Sequence, residues 1–354
     1  MTSNHKEAGA WDFPAGKNLV KPSLGDKIRV LFALLTAPVL FPWWILKSIL
    51  SGGKQSIKAK ILVSLAQHLA GRKPYQQLRV LAPAVPLRTE LNKFLVRRKG
   101  ENFNDYNKMF PVEGASARWI YQVPNRKPND PVLLYFHGGA YILSTAFLQV
   151  DWLIEFAKLN MHNRLSILCL DYTVAPEAKY PTQLNEALRV YNELQKSCKR
   201  IITFGDSAGG HLAATLQLWC DKNHQPKPLG ALLISPWVQL DGGASGSWIS
   251  NENRDYLMLS SGTALHFCTK EQLEDPTVNL IRGSKTFWDG IFGPQTAIVW
   301  GEYEIFRDSC EKFASIANIT NTFEEPAGVH DIMTTGTSNG TTLYLVDKLN
   351  EWLS

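Results

Sequence analysis

The chain carries 354 residues, 45% hydrophobic and 19% charged, with a formal net charge of +5. That is the mix of a globular protein with ample material for a core. Its lysines and arginines are scattered along the chain, which argues against a nucleic-acid-binding surface. Five cysteines, Cys169, Cys198, Cys220, Cys268 and Cys310, show no C-x-x-C spacing, which argues against a metal site and a small disulfide framework.

In chain order, residues 1–27 read as a polar tail. Residues 28–50 follow as IRVLFALLTAPVLFPWWILKSIL, uncharged from Val30 to Leu46, which is about the minimum length for a helix that crosses a bilayer. Trp43 and Trp44 beside Lys47 suit an interfacial anchor. Pro38 and Pro42 argue against a straight span, although membrane helices tolerate proline. The expectation is a retained membrane anchor, with an interfacial segment and a soluble cap helix as the next readings. Basic residues flank the segment on both sides (Lys17, Lys21, Lys27 and Arg29 before it, Lys47, Lys54, Lys58 and Lys60 after) and only slightly favour a cytosolic C-terminal side.

Residues 54–117 carry helical periodicity in Ile57, Ile61, Leu62, Leu65 and Leu69 and are expected to form a cap, with a loop from Asn102 to Pro111. From residue 118 to 354 the pattern changes. Apolar runs at Trp119–Val123, Val132–Phe136, Leu165–Leu170, Ile201–Phe204, Ala231–Ile234 and Ala297–Trp300 alternate with helical stretches at Leu148–Asn160, Leu184–Lys196, Ala208–Cys220, Ser309–Ala317 and Thr342–Leu353. Continuous rather than alternating apolar strands predict an α/β fold, a mostly parallel central sheet covered by helices on both faces. Sites in such sheets form at the carboxyl ends of the strands.

Gly205-Asp206-Ser207-Ala208-Gly209 lies at such an end, between a strand-like and a helix-like run. A G-x-S-x-G sequence there holds a serine hydroxyl exposed on a strained turn. Serine is a poor nucleophile unless an adjacent base takes its proton, and His330, in a loop beyond the segment Thr320–Phe323, is placed to reach back over the sheet. His211 lies a turn into the helix and away from Ser207. The orienting acid is sought in Trp300–Asp308, where Glu302, Glu304 and Asp308 all remain open. His137-Gly138-Gly139-Ala140-Tyr141 follows another strand; the N–H groups of Gly138, Gly139 and Ala208 are expected to hold an oxyanion, with His137 shaping the loop. Neither G-x-x-x-x-G-K-[ST] nor G-x-G-x-x-G occurs, and no cofactor is expected.

These motifs, HGGAY, GDSAGG and Asp171–Glu177 followed by Tyr180-Pro181, resemble the hormone-sensitive-lipase branch of α/β-hydrolases, which includes arylacetamide deacetylases. Within it the hydrophobic N-terminus, Ser235-Pro236-Trp237-Val238 and WGEYEIFRD are most similar to fungal steryl acetyl hydrolases. The resemblance implies an α/β-hydrolase domain over 54–354 and a serine esterase that deacetylates sterol or similar lipophilic acetates, with no cofactor. A broad short-chain carboxylesterase and a non-catalytic binding protein on the same fold are the alternatives. It implies that Glu304 stands where the branch commonly has aspartate, and that Ala140 replaces a third glycine, at a residue type that favours φ below zero. It also implies anchorage in the endoplasmic-reticulum membrane with a lumenal catalytic domain, where Asn318 and Asn339 would be glycosylation acceptors. Trp237 would form a wall of the substrate pocket.

Overall fold

The computed structural model describes residues 20–82, 87, 107–259, 262–331 and 340–354. The predicted apolar runs become β2 (Ala117–Tyr121), β3 (Val132–Phe136), β4 (Ser166–Leu170), β5 (Ile201–Asp206), β6 (Gly230–Ile234) and β7 (Thr296–Gly301). With β1 (Lys108–Phe110) and β8 (Asn321–Glu325) they form a sheet in the order β1-β2-β4-β3-β5-β6-β7-β8. β3 to β8 are parallel, while β1 and β2 pair antiparallel at one edge.

Successive residues of a strand face opposite layers. Leu134, Phe136, Leu168 and Leu233 therefore pack with helices α5 (Thr182–Gln195), α6 (Ala208–Lys222) and α7 (Arg307–Ile316). Leu133, Tyr135, Ile167, Phe204 and Val299 pack with α4 (Phe147–Leu159) and α8 (Gly340–Leu353). All of β3 is inaccessible to solvent, and each such side chain stabilises the fold by about 1.5–3 kcal/mol. The loop expected over Asn102–Pro111 contains an edge strand instead. In β1 only Phe110 is buried, so Lys108 and Met109 gave no apolar run to read.

The N-terminal segment forms α1 (Leu24–Leu50), α2 (Ile57–Ala70) and α3 (Tyr75–Leu81). Ser23 and Asp26 cap α1 reciprocally, and Pro38 and Pro42 lie inside it without ending it. Rather than standing apart, α1 packs on α2 and α3, with Thr36 Oγ1 bonded to His68 Nε2 at 3.1 Å. Before α1, the Val20 N–H donates to Glu177 Oε1 at 2.7 Å; after it, Lys54 Nζ meets Glu302 Oε1 at 2.9 Å and the Lys54 N–H donates to Tyr303 Oη at 3.1 Å. Glu177 follows β4 and Glu302 follows β7, so α1 crosses the carboxyl edge of the sheet. A buried ion pair between Arg79 of α3 and Glu177, at 2.6 Å, fixes one end of this arrangement.

Candidate active site

Ser207 sits between the last residue of β5 and the first of α6 with φ 51° and ψ −115°. A side chain at positive φ costs of order 1–3 kcal/mol and persists only where its surroundings enforce it. Here the Ser207 N–H donates to Ile234 O at 2.9 Å, and Ser207 O accepts from the amides of His211 and Trp237. The turn closes because a Cβ on Gly205 would strike the Gly209 backbone, and one on Gly209 would strike the Phe136 carbonyl. The Ser207 hydroxyl has no hydrogen-bond partner among the described residues.

Asp206 stitches the glycine loop to this turn. Its carboxylate accepts from Tyr135 Oη, from Gln149 Nε2 at 2.7 Å and from the Gly138 N–H at 3.0 Å. The expected donor Gly138 therefore has its amide bonded away from any anion site. The N–H groups of Gly139, Ala140 and Ala208 have no protein acceptor among the described residues. Ala140 and Tyr141 take φ of 53° and 61°, against the preference of side-chain-bearing residues. They are held there because Ile142 and Leu143 donate to Gly139 O, and Ala175 to Tyr141 O at 2.6 Å. His137 stacks on Tyr172, with ring centroids 4.0 Å apart, and its Nδ1 lies 2.7 Å from Gly138 O. Burial lowers its pKa to about 4, so it shapes the loop as a neutral ring. His211 is spent on Tyr141 Oη and Val278 O.

Of the three acids after β7, only Glu304 is fully buried. It accepts from Ser235 Oγ at 2.6 Å and from the Gly301 N–H at 3.0 Å. Glu302 pairs with Lys54 and takes the Ala327 N–H, while Asp308 takes the Ser247 N–H at 2.8 Å. His330 is buried at the same rim. Its Nε2 lies 3.3 Å from Asp331 Oδ2, and its Nδ1 is without a partner among the described residues. Neither Ser207 nor Glu304 is hydrogen-bonded to the ring. Ser235 links the two loops, since its Oγ also accepts from the Asp331 N–H at 3.3 Å.

The sequence reading missed Asp255. Wholly buried, it accepts from the Ile305 N–H at 2.8 Å and from the His330 N–H at 3.2 Å, tying the acid loop to the histidine loop. Its own backbone carbonyl accepts from Gln67 of α2 at 2.6 Å. No spacing links Asp255 to residues fifty or more positions away. Asp206 and Asp331 had a signal, being direct neighbours of Ser207 and His330 in sequence. Trp237 is buried and stacks toward Phe306, with centroids 6.4 Å apart. Asn318 is exposed in the turn between α7 and β8; Asn339 lies outside the described residues.

Burial pushes Asp255 up to about 7 and Glu304 up to about 8, and pushes His330 down to about 3. Carboxyls raised in the folded state stabilise it fully only below their ordinary values of 3.8 and 4.5, and that contribution is lost as pH rises through 7 and 8. The depressed histidines act oppositely, but only below their ordinary value of 6.5. The melting temperature is therefore expected to fall by several degrees between about pH 7 and 9. Asp255→Asn should flatten that slope; a melting temperature that holds or rises over the interval contradicts the buried acids' environment.

A serine on a strained strand-to-helix turn, beside a glycine loop at the carboxyl edge of a parallel sheet, defines a hydrolase-type scaffold. A family profile described as the alpha/beta hydrolase fold matches residues 133–331, more than half of the chain, and the chain belongs to that family. Among curated proteins it is 28% identical over 215 residues to a putative steryl acetyl hydrolase of Schizosaccharomyces pombe, covering 56% of each chain. It is 33% identical over 145 residues to steryl acetyl hydrolase 1 of Saccharomyces cerevisiae, covering 38% of this chain and 34% of that one. Human hormone-sensitive lipase is 27% identical over 158 residues, 42% of this chain and 14% of the lipase. The matched region thus spans about half, or less, of these relatives' lengths. Among solved structures, an esterase from the bacterial hormone-sensitive lipase family superposes with a TM-score of 0.66 at 19% identity, covering 84% of this chain and 98% of that one. At that identity the likeness is one of fold.

Proposed function

We propose that the chain is a serine carboxylic-ester hydrolase acting on lipophilic acetates, sterol acetates foremost, through an acyl-enzyme. The observation that carries the proposal is Ser207. Its hydroxyl has no partner among the described residues on a strained strand-to-helix turn, next to amides from which no described protein group accepts. Ser207 attacks the ester carbonyl and its proton passes to the neutral His330 imidazole. Collapse of the tetrahedral intermediate expels the alcohol, which takes that proton. Water, deprotonated by the same ring, then releases acetate and restores the serine. The Gly139, Ala140 and Ala208 N–H groups hold the oxyanion, with Ala140 taking the place first expected of Gly138. Each such donor is worth about 2.7–4 kcal/mol of barrier.

The mechanism requires the imidazole to exchange Asp331 for the Ser207 hydroxyl and to offer its unpaired Nδ1 to Glu304. Catalytic hydrogen bonds often tighten only once substrate is bound. Asp255 holds both loops for that step. Asp255→Asn turns an N–H donor toward one of the amides it now satisfies, and a displacement of about 1 Å at the reacting groups costs on the order of a hundredfold. We expect kcat to fall by about that factor with KM little changed; a variant with unaltered kcat would remove Asp255 from this role.

Likeness to the fungal steryl acetyl hydrolases supports the sterol-acetate reading. Likeness to a protein named esterase from Acinetobacter venetianus, 28% identical over 190 residues, favours the broader short-chain carboxylesterase as a second reading. The proposal extends to attachment to the endoplasmic-reticulum membrane through residues 28–50 with the domain lumenal, supported by apolar α1 and the exposed Asn318. A fluorophosphonate probe tests the enzyme assignment: folded chain should label, and Ser207→Ala should not. Absence of labelling leaves a non-catalytic binding protein. Hydrolysis of an acyl-length series on a sterol and on an aryl alcohol separates the two enzymatic readings, since a broad esterase treats both alcohols alike.

A further inference from the structure

We propose that α1 is a monotopic docking face, lying in the plane of one membrane leaflet across the catalytic edge, in place of the spanning anchor its hydropathy predicts. The inference rests on the membrane attachment proposed above but not on the esterase assignment. A helix of 27 residues is about 40 Å long, enough to cross the roughly 30 Å hydrocarbon core. A crossing helix, however, carries one end away to the far side. Here both ends are tied to the same edge of the catalytic domain, Val20 to Glu177 before α1 and Lys54 to Glu302 and Tyr303 after it. Were α1 to span, the loops after β4 and β7 would have to enter the hydrocarbon together with their charges.

The two faces of α1 are already divided. Val30, Ala33, Trp44 and Ser48 are buried against the other N-terminal helices. Along the opposite side Leu24, Ile28, Leu31, Leu35, Val39 and Leu46 fall at helical spacing and are exposed, Leu24 by 74% and Val39 by 77%. A contiguous exposed apolar stripe of this kind marks an interaction surface for protein or membrane. Exposed Lys27, Arg29 and Lys47 lie at its two ends, where their ammonium and guanidinium groups can reach the headgroups of an anionic leaflet. The occupant this chemistry selects is the lipid surface. An ester dissolved in that leaflet would meet the chain at the sheet edge that carries Ser207.

The test uses the full chain with single introduced cysteines, because all five native cysteines are buried. In sealed microsomes, Lys21→Cys and Ser354→Cys should react identically with a membrane-impermeant maleimide. Reaction of one with protection of the other places the ends of the chain on opposite sides and overturns the inference. Separately, Leu31→Cys, Val39→Cys and Leu46→Cys carry an environment-sensitive dye, in vesicles of phosphatidylcholine with about 30% phosphatidylserine. Spin-labelled lipids should quench the three dyes at one shallow depth. A profile with residue 39 deepest means a span. A dye shift that follows protein concentration and ignores lipid means that a second copy covers the face. Either result defeats the proposal. Turnover of a water-soluble acetate by the same samples reads the esterase assignment independently.

Discussion

Ser207→Ala is expected to reduce acetate hydrolysis by about a millionfold in kcat, the scale of loss when a nucleophile acting with its base is removed. Ser207→Gly should be equally inactive, yet more stable. At φ 51° and ψ −115° the serine Cβ is strained, and alanine inherits that strain while glycine does not. Relief of roughly 1–3 kcal/mol, less about 1 kcal/mol for glycine's greater freedom in the unfolded chain, leaves a net gain near 1 kcal/mol. For a domain of this size that is a rise of about 2–4 °C in Tm. Kinetics on a soluble acetate and thermal melts of the three proteins decide the matter. Turnover in Ser207→Ala close to that of the wild type refutes the nucleophile, and a glycine variant less stable than the alanine one refutes the strain.

Glu304→Gln should lower kcat by about 10³–10⁴-fold, because an amide cannot support the imidazolium and favours the wrong tautomer. Glu302→Gln and Asp308→Asn should stay near wild type, since Lys54 and Ser247, and not the histidine loop's ring, engage those acids. Asp331→Asn is the informative rival, as Asp331 contacts the ring in the resting structure at 3.3 Å. A larger loss there than at Glu304 would transfer the orienting role to the neighbour of the histidine. The pH profile adds a second measurement. With Glu304 pushed up to about 8 by burial, its carboxylate forms only as pH rises through that value. Activity should climb between about pH 7 and 9, and Glu304→Gln should lose that limb. The interval that raises activity is the one that lowers stability.

Strands such as Val132–Phe136 were legible because burial on both faces leaves no polar residue to blur an apolar run. The elbow was legible because its glycines answer to local sterics: Gly205 and Gly209 must approach other backbone. What escaped was determined by contacts distant in sequence. β1 buries one residue in three and exists through its partner strand. Asp255 acquires its place only when three loops meet. The capture of the Gly138 amide by Asp206 joins residues 68 apart. The packing of α1 was hidden for a related reason, since hydropathy reports how apolar a helix is and not which neighbour its inner face finds.

The grip of Gln67 on the backbone of Asp255 bears on how this protein can be prepared. Cutting away the greasy leader to obtain a tractable soluble fragment is a common first step. In this chain a cut after α2 would delete the strut under the segment that braces both the acid and the histidine. A fragment starting beyond that point would keep its sheet and its reactive serine while losing alignment among them. Detergent or nanodisc preparations that retain the leader are the material in which its turnover should be measured.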